Sequence, residues 1–519
     1  MSSKASADGP EDVGTSDREL VHYSSFSSTH ISLKQPIWRR AAQSTRSAWL
    51  RFSDWCIEWT PFALVCCYWP TVTAIFVMCS SQAIEVFYYF YMIVNLYIAA
   101  VSAFESFLAL TPVREARKAA IKFNKTDINL RKDAGDDLPY MELVMVAYLP
   151  NEKDIVEQQI MYALEELQYP SHKLRISLVY NTPKPIEPLE SQLRQLEREW
   201  TQLRVVKVPK STSKAENLNY FLSLPYTGNS EYIGIFDTDH LPHPHNPRWA
   251  AERFKKDKCD IVQGRCVVYN TKESFLSKMI AIEFDKIYAI AHPGRSRLVG
   301  FGLFCGSNGW WRADALRDIR MKENMLTEDI DSALRAYGSG YKAVHDLNVV
   351  SYELAPTSVR AFWKQRMRWT QGWTQASINH LPLLWKNPPE GKGKRDIHER
   401  NGLFSLLFLR ELSYYFVSQH TCLILSFIIT GWPHNVGGLV KLIWFQYPLA
   451  EWFFILVILA LIATLYCTDL VRSEFTSWWY MIAFSIIYTP YLIVQSCMGL
   501  YGHAREITKY TKWNPTERK

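Results

Sequence analysis

Long apolar stretches at both ends of the chain constrain its fold more than any other feature of the sequence. The stretches at 62–80 and 86–110 precede a charged middle region, and those at about 403–432, 442–467 and 476–500 follow it. Each is long enough to cross the hydrocarbon core of a bilayer, which takes about 20 apolar residues in a helix. The sequence therefore predicts a multi-pass integral membrane protein whose middle region lies outside the bilayer.

Basic residues beside the first two apolar stretches set the expected orientation. They are Arg39, Arg40, Arg46 and Arg51 before the pair and Arg114, Arg117, Lys118 and Lys122 after it, whereas the turn at 80–82 has no Lys or Arg. Because cytosolic segments carry the excess of Lys and Arg, we expect the middle region in the cytosol. The basic C-terminal tail also looks cytosolic, which requires an even number of later crossings. Three stretches are visible, so either one hides two short spans near Pro433–Pro448 or one lies in the membrane interface.

The rest of the sequence divides around these stretches. Residues 1–35 are rich in Ser, Asp and Gly and have no apolar period, which is typical of a disordered tail, and no signal-peptide pattern begins the chain. We predict a cytosolic N-terminal tail at 1–60, a membrane hairpin at 61–110, a cytosolic α/β domain at 111–356, an amphipathic interface helix at 357–400, membrane helices at 401–500 and a cytosolic tail at 501–519.

Charge and cysteine content disfavour two other classes of protein. The net charge is only +7 over 519 residues, and much of the basic excess lies beside apolar stretches, so nucleic-acid binding is not indicated. The ten cysteines include no Cys-x-x-Cys pair, which favours reduced, buried thiols over a zinc site or a disulfide framework.

The middle region alternates between strand-like and helix-like segments. The strand-like segments are Glu142–Leu149, Leu174–Tyr180, Leu203–Val208, Tyr232–Phe236 and Asp260–Tyr269, and the helix-like ones are 152–168, 187–202 and 213–224. This alternation predicts a mostly parallel, Rossmann-like α/β sheet covered by helices. Ligands of such sheets bind beyond the carboxyl ends of the strands, so residues that directly follow a strand are candidates for a site.

Two aspartates, Asp237 and Asp239, directly follow the fourth strand-like segment. Carboxylate oxygens suit Mg²⁺ and Mn²⁺, and such an ion neutralises the charge of a departing pyrophosphate. A solvated turn explains an isolated Asp-x-Asp pattern equally well. The nearby His240, His243 and His245 are more typical of loop residues than of further metal ligands.

Two more acidic residues are candidates for catalysis. Glu328 and Asp329 follow Thr327, downstream of the glycine-containing segment Gly306–Trp311. Transfer of a sugar to a hydroxyl with inversion at the anomeric carbon needs a base that takes the hydroxyl proton. General-base catalysis contributes about 10²–10⁴-fold in rate. We assign this role to Asp329. The same residues are also good helix-start chemistry for 330–337, and the two interpretations are compatible.

A third group of candidates lies on the helix predicted at 357–385. Gln365, Arg368 and Trp369 occupy positions i, i+3 and i+4 and therefore share one helical face. A guanidinium binds pyrophosphate through paired hydrogen bonds, and an indole ring stacks under a sugar. An amphipathic surface helix explains this spacing too when it is taken alone.

Lys214 and Asn217 begin another predicted helix and can contact the base or phosphate of a nucleotide, although a solvated first turn has the same composition. In the tail, Trp513, Thr516 and Arg518 combine an aromatic ring, a hydroxyl and a cation. Such a segment can close over a bound nucleotide, and a frayed basic terminus is the simpler interpretation.

In order and spacing these segments resemble the processive family 2 glycosyltransferases, which include the cellulose, hyaluronan and chitin synthases. The resemblance runs from about residue 60 to the end of the chain. The matching segments are Val146–Glu152, Lys214–Asn217, Asp237–Asp239, Gly306–Gly309, Thr327–Asp329 and Gln365–Trp369.

The resemblance implies a GT-A fold inserted in an α-helical membrane bundle with amphipathic interface helices. It also implies a UDP-sugar donor bound with Mg²⁺ or Mn²⁺. The donor-binding residues by similarity are Glu152, Asn181, Lys214, Asp237, Asp239, Gln365 and Arg368, with Asp239 as the metal ligand. The catalytic residues by similarity are Asp329 and Glu328, the acceptor-binding residue is Trp369, and the gating-loop residues are Trp513, Thr516 and Arg518.

The activity implied is inverting, metal-dependent transfer of a sugar from UDP to a growing β-linked polysaccharide that leaves through a channel of helices at the plasma membrane. The expected partners are the UDP-sugar, the polymer and the lipid bilayer, and a homo-oligomer stays open. The alternative is a non-processive enzyme that glycosylates a membrane lipid, such as ceramide or a polyprenyl phosphate. Ceramide glucosyltransferases are similar at the same motifs. The intact carboxylates and Arg368 disfavour an inactive sugar-binding scaffold.

One position departs from the family pattern. Family members usually carry an aspartate after the second strand, where it contacts uracil, whereas Asn181 stands here after Leu178–Tyr180. An amide can still hydrogen-bond uracil. The departure affects nucleotide recognition and leaves the expected reaction class unchanged.

Overall fold

The computed structural model describes residues 37–125, 137–225, 229–391 and 393–509. The three predicted gating-loop residues, Trp513, Thr516 and Arg518, lie outside these ranges. The α-helices are α1 Ile37–Met78, α2 Ser81–Lys125, α3 Leu149–Glu152, α4 Val156–Glu166, α5 Leu189–Glu199, α6 Lys214–Ser223, α7 Asn246–Asp257, α8 Phe275–Lys286, α9 His292–Val299, α10 Ala313–Ile319, α11 Glu328–Gly338, α12 Val359–His380, α13 Ile397–Phe404, α14 Arg410–Gly431, α15 Val436–Trp444, α16 Ala450–Asp469 and α17 Trp478–Ile507. The strands are β1 Met141–Tyr148, β2 Leu174–Asn181, β3 Leu203–Lys207, β4 Tyr232–Asp237, β5 Leu241–Pro242, β6 Ile261–Val268, β7 Gly309–Arg312 and β8 Ala343–Glu353.

The strands form one mixed sheet in the order β3-β2-β1-β4-β7-β6-β8-β5. The pairs β1–β2, β1–β4, β2–β3 and β6–β8 are parallel, and β7 runs antiparallel between β4 and β6. Helices cover the sheet, and long apolar helices precede and follow it. This confirms the predicted GT-A-like α/β domain combined with apolar helices.

Alternating side chains give the sheet a core on each face. Leu143 and Met145 of β1 pack on one side with Trp310, and Val144 of β1 packs on the other side with Trp311. This period of two is expected for a strand buried on both faces. Close packing also determines the residue at position 234. A Cβ there would lie 2.8 Å from the Trp310 ring, so only glycine fits.

In the part of the chain that the structure describes, five helical segments are long and apolar enough to cross a membrane: Phe52–Met78, Ser81–Lys122, Ile397–Gly431, Ala450–Asp469 and Trp478–Ile507. They correspond to the five apolar stretches of the sequence. The first of these helices, α1, begins at Ile37, inside the segment that the sequence assigned to the N-terminal tail.

The last helix, α17, contacts the α/β domain or its covering helices at both ends. Before its start, the Thr476 hydroxyl donates to the buried carboxylate of Asp285 in α8 at 3.1 Å. Near its end, Gly502 packs directly on Thr370 of α12, and Glu506 accepts from the Gln371 side chain at 3.4 Å. The last apolar helix is therefore packed along α8 and α12, and the number of membrane crossings stays a prediction.

Candidate active site

One cavity gathers the residues that the sequence singled out. It has a volume of about 640 Å³ and lies beyond the carboxyl ends of β1, β2 and β4, and we call it the outer cavity. Every predicted site residue that the structure describes lines it. They are Glu152, Asn181, Lys214, Asp237, Asp239, Glu328, Asp329, Gln365, Arg368 and Trp369.

Asp237 is the last residue of β4, and Asp239 lies in the turn that follows, which is anchored to the neighbouring strand. The hydroxyl of Thr238 donates to the Val146 carbonyl of β1 at 2.9 Å. Ligand atoms of Asp237, Asp239 and His240 all lie within 4.8 Å of one another. Carboxylate oxygens at this spacing fit a hard divalent cation, which holds its ligands at about 2.0–2.6 Å.

The histidines of this segment are less suited to a metal than the carboxylates are. His240 Nδ1 lies 3.0 Å from the Ser351 hydroxyl, and its Nε2 lies 3.1 Å from the Glu353 carboxylate, so both ring nitrogens already have partners. His243 and His245 contact each other instead, with ring centroids 5.6 Å apart, in the stretch before α7. Oxygen atoms of the two aspartates are therefore the better ligand set.

Lys214 connects the two pairs of carboxylates. Its ammonium donates to Asp237 Oδ1 at 2.5 Å and to the Gly306 carbonyl at 2.8 Å. Burial raises the pKa of Glu328 to about 7, with a further rise from the Asp329 charge, and Lys214 opposes both effects. Burial likewise raises the pKa of Asp329, and Lys214 lowers it. A carboxylate shifted toward neutral pH is a better proton acceptor, as general-base catalysis requires.

The helix that carries Asp329 begins where the sequence predicted. Thr327 occupies the N-cap position of α11, but its side chain makes no capping hydrogen bond. Asp329 Oδ2 faces Gly306, whose φ is +93° and where a Cβ would lie only 2.7 Å from that oxygen. Glycine at 306 therefore allows the backbone to approach the proposed base.

Because Lys214 lowers the pKa of Asp329, we expect Lys214→Met to move the acid limb of the kcat–pH profile to higher pH. A base must be deprotonated to act, so activity is lost as pH falls through its pKa, and a higher pKa brings that loss at higher pH. Steady-state kcat at saturating donor from about pH 5 to 9 measures the shift. Lys210→Met, at an exposed position nearby, is the control. An acid limb that stays in place in Lys214→Met contradicts the assignment.

The face of α12 that the spacing predicted does line the outer cavity, through Gln365, Arg368 and Trp369. Three buried side-chain oxygens in this cavity have no hydrogen-bond partner in the part of the chain that the structure describes: Asn217 Oδ1, Thr327 Oγ1 and Gln365 Oε1. A buried acceptor without a partner costs about 1–3 kcal/mol. The cavity is therefore suited to a ligand that brings its own donors, such as sugar hydroxyls or a base N–H.

The asparagine that departs from the family pattern is held by its neighbours. Asn181 Nδ2 donates to the Ser211 carbonyl at 2.9 Å, and Asn181 Oδ1 accepts from Asn217 Nδ2 at 2.8 Å. In α3, directly after β1, Glu152 accepts from the Tyr148 backbone N–H at 2.8 Å. The amide pair thus presents a fixed set of polar atoms to the cavity.

Sequence reasoning missed Arg366, which lies inside the same motif. Its buried guanidinium donates to Glu283 at 2.5 Å and lies 4.6 Å from the Trp369 ring centroid and 5.0 Å from that of Phe362. The Tyr491 hydroxyl of α17 donates to the other Glu283 oxygen at 2.8 Å. This ion pair joins α8, α12 and α17 directly beside Trp369.

Two more cavities continue the outer one toward the apolar helices. A middle cavity of about 290 Å³ shares Thr327, Asp329 and Trp369 with the outer cavity. An inner cavity of about 420 Å³ shares Glu283 and Trp373 with the middle one and is walled by α2, α14 and α17. The path thus runs from the aspartate pair, past the proposed base, into the apolar helices. Three residues that line more than one of these cavities were missed by sequence reasoning: Tyr288, His292 and Cys305. Of these three, Cys305 alone had a local signal in the sequence, because it directly precedes the Gly306 segment.

Comparison with known proteins places the chain among sugar-transferring enzymes. Residues 232–494, just over half of the chain, match the family described as glycosyl transferase family group 2. A relative from Oryza sativa subsp. japonica, named probable glucomannan 4-beta-mannosyltransferase 7, is 29% identical over 242 residues. That alignment covers 43% of this chain and 39% of the relative, so the chain matches well under two thirds of the relative's length.

Some solved structures also match the chain, at low sequence identity. The mannosyltransferase PcManGT from Pyrobaculum calidifontis, in complex with GDP-Man and Mn²⁺, has a TM-score of 0.45 and 16% identity, and the match covers 70% of this chain and 99% of that one. Residues 1–349 of TarS from S. aureus, in complex with UDP-GlcNAc, give a TM-score of 0.35 and 12% identity, with 63% and 90% covered.

Proposed function

The chain belongs to glycosyl transferase family group 2 and is a glycosyltransferase, and we propose that it builds a β-linked polysaccharide from a UDP-sugar with inversion at the anomeric carbon. We further propose that the product crosses the plasma membrane through the inner cavity, with the α/β domain in the cytosol. The observation that carries this proposal is the row of three adjoining cavities, which share lining residues, from the aspartate pair to the apolar helices.

The donor site would hold a divalent cation, Mg²⁺ or Mn²⁺, through Asp237 and Asp239. Their oxygens are close enough together and of the right chemical type for such an ion. When bound, the ion neutralises charge on the departing diphosphate. Arg368 and Lys214 line the same cavity and add positive charge beside the leaving group.

Asp329 would take the proton of the attacking acceptor hydroxyl as the new bond to the anomeric carbon forms. The bond from that carbon to the diphosphate oxygen breaks on the opposite side, and UDP leaves with the electron pair. Asp329 suits this role because it lines both the outer and the middle cavities, whereas Glu328 lines only the outer one. The acceptor therefore reaches Asp329 from the middle cavity, where Trp369 can stack under its terminal sugar.

A polymer acceptor fits these observations better than a free lipid headgroup does. The path beyond Asp329 continues through two cavities, which gives room for several linked sugars. The rice relative's name also describes transfer to a polysaccharide, glucomannan. Its mannosyl donor makes GDP-mannose a necessary member of any donor panel.

The test is the size of the product. The full chain, purified in detergent, is given Mn²⁺ and labelled UDP-sugars or GDP-mannose, singly and in pairs, and the products are separated by gel and by lipid extraction. Polydisperse carbohydrate of high mass supports the proposal. A single low-mass, lipid-extractable product establishes the lipid acceptor instead, and transfer that persists with excess chelator removes the metal from the mechanism.

A further inference from the structure

Within the described ranges, one cation in the lining of the inner cavity has no carboxylate partner. Three cationic side chains line this cavity, Lys286, Arg295 and Arg410. Arg295 donates to Glu105 at 2.8 Å, and Arg410 forms an ion pair with Glu411. These two arginines are therefore neutralised within the protein.

Lys286 is different. Glu283, the remaining acidic residue of the inner lining, is already paired with Arg366 at 2.5 Å and also accepts from Tyr491. Among the residues that the structure describes, Lys286 has one side-chain partner, the Tyr488 hydroxyl at 3.3 Å, and its ammonium lies 4.8 Å from the centre of the same ring. Neither contact supplies a negative charge.

Lys286 is half-buried beside apolar helices, where an anionic partner stabilises an ammonium. Taking a charged group out of water is costly unless an opposite charge or strong hydrogen bonds compensate it. The tyrosine ring and hydroxyl compensate only in part, because a cation–π contact contributes about 0.5–2 kcal/mol. A ligand that brings an anionic group to Lys286 completes the site.

The rest of the lining indicates what carries that group. Besides its aliphatic residues, the lining of the inner cavity includes aromatic rings and hydrogen-bonding groups; they are Tyr97, Trp373, Tyr488, Tyr491, Ser413 and Gln495. Sugar rings stack on aromatic faces and exchange hydrogen bonds with such groups. Because the cavity continues the path from Asp329, whatever occupies it is the acceptor or the product.

We propose that the inner cavity binds an acidic sugar unit of the glycan and that Lys286 binds its carboxylate. This inference rests on the proposed function and narrows it: the polysaccharide contains uronic acid. The helix α8 provides an internal control, because Lys278, two turns earlier, lies 5.1 Å from the centre of the Tyr480 ring in the same manner but does not line the inner cavity.

The test compares a glucuronate-containing oligosaccharide with its methyl ester, which has the same rings and no charge. Equilibrium binding to the full chain in detergent is measured by calorimetry. The acid is expected to bind about tenfold more tightly than the ester, the size of one charge-assisted hydrogen bond. Lys286→Met should abolish this preference, Lys286→Arg should keep most of it, and Lys278→Met should leave it unchanged.

Equal binding of the acid and its ester, or an undiminished preference in Lys286→Met, would overturn the proposal. A polyprenyl phosphate is the third probe: if it alone binds in a manner that depends on Lys286, the anion belongs to a lipid acceptor and the glycan assignment is wrong. Because binding is measured without a donor, a failure here is distinguishable from a failure of sugar transfer, which the product-size assay reports separately.

Discussion

Replacing Asp329 with Asn is expected to lower kcat by about 10²–10⁴-fold while leaving the affinity for the donor nucleotide nearly unchanged. The substitution keeps the shape of the side chain and removes only its ability to accept a proton. The donor-binding groups, Asp237 and Asp239, lie at the end of β4, whereas Asp329 lies on α11, and Lys214 interacts with both Asp237 and Asp329. A loss confined to turnover is thus the signature of a base.

The measurement is kcat from initial rates of UDP release, together with UDP affinity by calorimetry, in the presence of Mn²⁺. Glu328→Gln is the matched comparison, since Glu328 is the adjacent carboxyl group and its pKa is raised to about 7. We expect a smaller loss from Glu328→Gln because Glu328 lines only the outer cavity. If Asp329→Asn turns over normally and Glu328→Gln does not, the base is Glu328.

Local patterns in the sequence predict the parallel part of the sheet well. The five predicted strands agree with β1 to β4 and β6 to within two residues at each end. Except for β3 at the edge of the sheet, each is a mostly apolar run buried on both faces, which is a strong local signal. The two aspartates after β4 could be located for the same reason, because their position depends only on where that strand ends.

The sequence did not reveal β5, β7 or β8, and of these β7 lies between the predicted β4 and β6 with only a weak local signal. The four-residue β7, Gly309–Arg312, begins with glycine and places Trp310 and Trp311 on opposite faces of the sheet. Such a segment has neither the length nor the alternation of a typical strand. Only its antiparallel pairing with β4 and β6 defines it, and those pairings join residues far apart in the sequence.

Contacts between side chains that are far apart in the sequence could not be predicted from local patterns either. The helical spacing located Gln365, Arg368 and Trp369, but it gives an arginine at 366 no reason to be buried. Its burial depends on Glu283, which precedes it by 83 positions. Lys286 was missed for a related reason, since its significance lies in the absence of a carboxylate partner among the described residues and not in any local pattern.

Arg366→Ala is expected to destabilise the protein by about 3–5 kcal/mol, the cost of leaving one partner of a buried ion pair without the other. The pair is buried on both sides, with Arg366 and Glu283 each about 8% exposed. The guanidinium also fills the space between Trp369 and Phe362. Thermal unfolding in detergent, followed by tryptophan fluorescence, should show a midpoint several degrees lower.

The double variant Arg366→Met with Glu283→Gln separates the ion pair from the packing. Methionine fills much of the same volume, and glutamine keeps an oxygen for the Tyr491 hydroxyl, so no buried charge remains. We expect this variant to recover most of the lost stability, whereas the exposed Arg360→Met on the same helix should not change the midpoint. A double variant as unstable as Arg366→Ala would mean that the arginine acts through its contacts with Trp369 rather than through its charge. In that case Trp369→Leu should lower the midpoint by a similar amount, because the same stack is then the element that holds α12 against α8.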